Sequence, residues 1–180
     1  MTMLSYILFY KFHLTSFFVV YFIFTAMLLA IIYIDFQHQI IPDLISIPGI
    51  IIGFTCSFIT NLISWQNSLL GIIIGGGFLY GVAIIYYLIT KREGMGGGDI
   101  KLLAMLGAFL GWRAVIFIVF FSALLGSLAG LFFMTQQKKG GKTMIPYGPF
   151  LSLASIFYVL YGEQNIVTDY IHLIQLLIIS

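Results

Sequence analysis

Between Leu44 and Thr90 the chain contains no Asp, Glu, Lys, Arg or His. A soluble domain cannot bury so long an uncharged apolar run, whereas a bilayer can. A polar interruption, "NLISWQNS" at 61–68, divides it into two segments, 44–62 and 69–89, each close to the ~20 residues that cross a ~30 Å hydrocarbon layer. Further apolar runs cover 14–34, 100–112, 114–134 and 144–161. The composition agrees: 61% of residues are hydrophobic and 8% are charged, against roughly a quarter charged in soluble domains. The expected fold is an all-α integral membrane protein, a polytopic bundle of about six transmembrane helices forming a single membrane-embedded domain over 1–180. The run at 14–34 is too long for a signal-peptide core and is read as a retained helix. The tail 162–180 is expected to lie along the interface.

Basic residues orient the bundle. With six passes, the connections after the first, third and fifth share one side, which carries Lys91, Arg92, Lys101, Lys138, Lys139 and Lys142; the other side has Lys11 and Arg113. The positive-inside rule places the first side in the cytoplasm and both termini outside it. Asp35, Asp43, Glu93 and Asp99 then fall on the cytoplasmic side, and Glu163 and Asp169 opposite.

Asp35 ends one apolar run, where a negative charge opposes the helix dipole. Asp99 follows the glycine-rich stretch "GMGGGD", with Gly94, Gly96, Gly97 and Gly98, and opens a helix of thirteen residues. Thirteen residues extend only about 20 Å, so the glycine loop is expected to reach membrane depth, where irregular backbone survives only inside protein or beside a wet cavity. An acid there is a candidate functional residue. N-capping is the competing account of Asp99, and capping or first-turn placement is the preferred account of Asp43, after Pro42.

Two carboxylates within hydrogen-bond reach share a proton. One can then accept a proton from water while the other donates to a peptide carbonyl, which is hydrolysis by general acid–base catalysis without metal or covalent intermediate. Paired intramembrane acids also suit a proton- or cation-coupled carrier, and the residues alone leave the two readings close.

The segments "YIDFQHQIIPD" (33–43), "GMGGGDIKLLAMLGAFLGW" (94–112) and "IPYGPFL" (145–151) resemble the signatures of type IV prepilin peptidases, membrane aspartic proteases of the G-x-G-D class. The resemblance implies that Asp35 and Asp99 are the catalytic pair. It also implies supporting positions at Gly94, Gly96, Gly97, Gly98, Pro42, Asp43 and Lys101, the lysine most simply snorkelling. Implied substrates are prepilins and pseudopilins, recognised by a short basic leader ending in Gly and by the apolar helix behind it, and cleaved at the cytoplasmic face of the bacterial inner membrane. Membrane lipid is the other expected partner; no cofactor, metal or nucleic acid is expected.

Many members of that family carry an added methyltransferase region with a four-cysteine segment. A lone Cys56 in an apolar run cannot build such a zinc site and is read as packing. No methyltransferase activity is therefore expected from these residues, whether the protein is peptidase-only or the peptidase half of a longer one. Gly71, Gly75, Gly77 and Gly81, and likewise Ser122, Gly126 and Gly130, have the small-xxx-small spacing that permits close helix packing. His38 stands near enough to Asp35 in sequence to tune it, and Pro48 is expected to kink its helix or delay its start.

Overall fold

The computed structural model describes residues 2–60, 63–91, 96–136 and 146–162. Within them the chain forms α1 (Thr2–Phe12), α2 (Ser16–His38), α3 (Asp43–Ile59), α4 (Trp65–Thr90), α5 (Gly97–Gln136) and α6 (Gly148–Tyr161). Among the described residues, α2, α4 and the Gly97–Phe132 stretch of α5 are long and apolar enough to cross a membrane, while α3 and α6 are apolar but shorter. In lipid every backbone polar group needs an internal partner, and helices supply it. The protein is thus an all-helical membrane protein.

The first helix was not expected from the sequence, where residues before 14 read as a lead-in to the first pass. An isolated helix of eleven residues is marginal, so its stability comes from contacts. Leu8 is fully buried, the Phe12 and Tyr21 rings lie 4.9 Å apart, and the Phe9 and Phe18 rings meet edge to face at 5.9 Å. His13 turns the chain with φ 49°, and the Thr15 hydroxyl donates to the Phe12 carbonyl at 2.6 Å. Lys11 donates from Nζ to the carbonyls of Val159 and Leu160, at 2.9 and 2.7 Å, satisfying acceptors that the end of α6 leaves open.

The segments expected as separate helices over 100–112 and 114–134 are two arms of α5, divided at Gly111, whose φ of 82° and ψ of 172° are not helical. Such a φ suits glycine alone. The second arm returns alongside the first, because Asp99 and Ser122 both interact with Tyr147. A straight helix would hold those two residues about 35 Å apart.

The first arm of α5 is the centre of the bundle, with Leu102, Leu103, Met105, Leu106 and Ala108 wholly buried. Its neighbour α4 approaches backbone to backbone: a Cβ on either Gly71 or Gly107 would strike the other's carbonyl, and one on Gly75 would lie 2.5 Å from the Leu103 carbonyl oxygen. Ser68 adds a hydrogen bond to the Ala108 carbonyl at 2.7 Å. Gly77 and Gly81, expected to pack in the same way, have no described residue against them. They lie on a different side of α4 from Gly71 and Gly75, the side that presses on the first arm of α5. On α3, Gly49 and Gly53 admit Met105 and Phe109. Pro48 lies inside α3 and does not delay its start at Asp43. Phe117 and Phe121 of the second arm stack on Phe157 of α6. Cys56 packs half-buried against the core.

Candidate active site

Asp35 lies one turn before the end of α2 and is 4% exposed. The helix stops at Gln39, whose left-handed conformation (φ 54°) returns its N–H to the Asp35 carbonyl at 2.9 Å. Two residues later Ile41 is buried, Pro42 caps α3, and Asp43 takes its first position.

Asp99 occupies the first turn of α5, half-buried, with its N–H on the Gly96 carbonyl at 3.2 Å. Of the glycines before it, Gly98 is the one that sterics dictate: a Cβ there would lie 2.8 Å from Cβ of Ile41. Gly97 has no described residue against it, Gly96 lies beside the Asp99 carboxylate, and Gly94 falls outside the described residues. The close fit of Gly98 on Ile41 brings the two acidic segments together, and the carboxylates of Asp35 and Asp99 stand near enough for their charges to interact.

A third segment completes the site. The N–H of Gly148, at the start of α6, donates to the Asp35 carboxylate. A Cβ on Gly148 would lie 2.5 Å from Oδ2 of Asp35 and 3.0 Å from Cδ1 of Ile41. This accounts for an acid at the unfavourable end of α2. The first amides of a helix lack intrahelical partners and carry partial positive charge, so α6 offsets the dipole that α2 sets against Asp35. Next to Gly148, the Tyr147 hydroxyl is 2.7 Å from Oγ of Ser122 on the second arm of α5. Lys101, expected to snorkel, donates to the Asp43 carboxylate at 2.6 Å and ties the N-terminal ends of α3 and α5 together.

Sequence reasoning named the two acids, the glycines, Pro42, Asp43 and Lys101. It gave no individual site role to Ile41, Tyr147 or Gly148, which lie inside the quoted signature segments, and it read Ser122 as helix packing. The available signal was the Tyr-Gly-Pro sequence at the head of an apolar run, since Pro favours the first helical turn and marks where free amides point. His38 is exposed at the end of α2, and His13 lies in the α1–α2 turn. Among the described residues no three His, Cys, Asp or Glu side chains stand together as metal ligands would. The site brings together two carboxylates close enough for their charges to interact, a backbone donor and a pair of hydroxyls, which can hold and polarise a water molecule.

Similarity to known proteins points the same way. The prepilin leader peptidase/N-methyltransferase of Stutzerimonas stutzeri is 36% identical over 137 residues, covering 76% of this chain and 47% of the relative. The protein of the same name from Dichelobacter nodosus is 39% identical over 142 residues, covering 79% and 48%. That from Xanthomonas campestris is 31% identical over 147 residues, covering 82% and 51%. The chain thus spans about half the length of the curated relatives it matches. No solved structure matches it significantly. Residues 22–131, which include both Asp35 and Asp99, match the type IV leader peptidase family, and the chain belongs to that family.

Proposed function

We propose that the protein is a membrane aspartic endopeptidase of the bacterial inner membrane that removes the short basic leader of type IV prepilins and pseudopilins after a Gly. Asp35 and Asp99 are its catalytic pair. The observation that supports this reading is their convergence: two acids on separate helices come within reach of each other's charge, and Gly148 supports Asp35. One carboxylate takes a proton from water as the water oxygen attacks the peptide carbonyl carbon, and the other donates a proton to the carbonyl oxygen. Collapse of the tetrahedral intermediate breaks the C–N bond, and the departing nitrogen takes up a proton. A closed helix hides its carbonyls, so the cleavage segment binds extended while the apolar helix behind it rests in lipid against the bundle.

In this reading α2, α3, α4, both arms of α5 and α6 make six passes, with the acids at the cytoplasmic end and both termini on the other side. The activity assigned is the peptidase half of what the relatives' names describe. The carrier reading is not favoured, because both acids sit at one end of the bundle. The test is cleavage of a prepilin by the purified protein in liposomes, followed by mass. Cleavage after the leader Gly, lost in both Asp35→Asn and Asp99→Asn while each variant stays folded, supports the pair. Persistence of cleavage in either variant removes that residue from the mechanism.

A further inference from the structure

Tyr147 and Ser122 form a polar pair that a two-carboxylate mechanism does not use. Ser122 is wholly buried, and its hydroxyl has two partners, the Val119 carbonyl at 3.1 Å and the Tyr147 hydroxyl at 2.7 Å. Tyr147 is half-buried, adjoins the residue whose N–H reaches Asp35, and lies within the electrostatic reach of Asp99. Its ring is set by the backbone that begins α6 and by Ser122 on the second arm of α5.

A serine hydroxyl has one proton to donate. When Ser122 gives it to Val119, Tyr147 donates to Ser122 and both protons are satisfied within the protein. When Ser122 turns its proton to the phenol oxygen, the Tyr147 proton is freed for another acceptor. Both arrangements keep the 2.7 Å contact. The pair can therefore present a donor when negative charge develops nearby, without moving a heavy atom.

Resting on the peptidase reading above, we infer that Tyr147 is a further catalytic residue: its hydroxyl hydrogen-bonds the carbonyl oxygen of the cleaved peptide as the tetrahedral intermediate forms, and Ser122 positions it. Tyr147 transfers no proton; the water proton and the proton given to substrate remain with the carboxylates. A fixed donor aimed at developing charge accelerates the chemical step far more than it tightens substrate binding.

The test measures kcat and KM for prepilin cleavage in liposomes with wild type, Tyr147→Phe, Ser122→Ala and Ser122→Thr, alongside thermal unfolding. The expected result for Tyr147→Phe is a fall in kcat of about 10²-fold with KM within a few-fold, the size seen when one such donor is removed. Ser122→Ala lowers kcat by a smaller factor, and Ser122→Thr, which keeps the hydroxyl, restores most of it. A folded Tyr147→Phe with wild-type kcat overturns the inference and leaves the peptidase reading intact. If Tyr147→Phe fails to fold, the serine variants decide: equal kcat in Ser122→Ala and Ser122→Thr overturns it. Absence of cleavage by wild type instead sinks the peptidase reading on which the inference stands.

Discussion

Replacing Gly148 with Ala should disable the site while sparing the fold. The added methyl lands 2.5 Å from Oδ2 of Asp35, about 0.9 Å inside the 3.4 Å at which ordinary contact begins. The atom it strikes is the end of a side chain rather than backbone, so relief comes from a swing of the Asp35 carboxylate. The swing weakens the bond from the Gly148 N–H and moves the carboxylate out of line with Asp99. A misplacement near 1 Å at a reacting group costs on the order of 10²-fold in rate, or about 2.7 kcal/mol of barrier. Prepilin cleavage by Gly148→Ala should thus show kcat reduced by roughly 10²-fold, with the thermal midpoint in detergent close to that of wild type. Wild-type kcat in a folded Gly148→Ala protein would refute the placement of α6 against Asp35. A collapse of the thermal midpoint would refute the claim that the side chain, not the helix, yields.

Gly71→Ala or Gly107→Ala drives a methyl into facing backbone, which no rotamer relieves, and should destabilise by about 1–3 kcal/mol or more. Gly77→Ala and Gly81→Ala, where the methyl meets no described residue, should stay within about 0.5 kcal/mol of wild type in the same unfolding assay. Asp43→Asn breaks the ion pair with Lys101, whose side chains are 41% (Lys101) and 56% (Asp43) exposed. Such a pair contributes about 0–1 kcal/mol, so cleavage should persist within about fivefold. Loss as complete as in Asp35→Asn would make Asp43 part of the chemistry.

Much of this arrangement is legible in the sequence because lipid imposes a simple rule: uncharged runs become helices, and an acid near their ends needs an explanation. Asp35 and Asp99 stand out for that reason. What supports them is harder to read. Gly148 matters for the direction of one N–H, Ile41 for filling the gap beneath two glycines, and Ser122 for a proton with two acceptors; each looks like ordinary membrane-helix composition until the segments meet. The glycine pairs of α4 show a related limit. Spacing marks Gly71/Gly75 and Gly77/Gly81 alike, and only the neighbouring helix decides which pair is used. Segment α1 was hidden because eleven residues are too few to span a bilayer, and of its partners the acceptors of Lys11 lie far along the chain.

The contact of Gly71 with Gly107 also governs how the protein can move. With backbone pressed on backbone and Ser68 fastened to Ala108, α4 cannot slide or turn against the first arm of α5 without separating from it. The two behave as one stiff plank, and Asp99 rides on its end. A helix motion that changes the distance between the carboxylates is therefore a motion of α2 and α6 relative to that plank, while the Asp35 side chain can also swing on its own, and Lys11 holds the far end of α6 to α1.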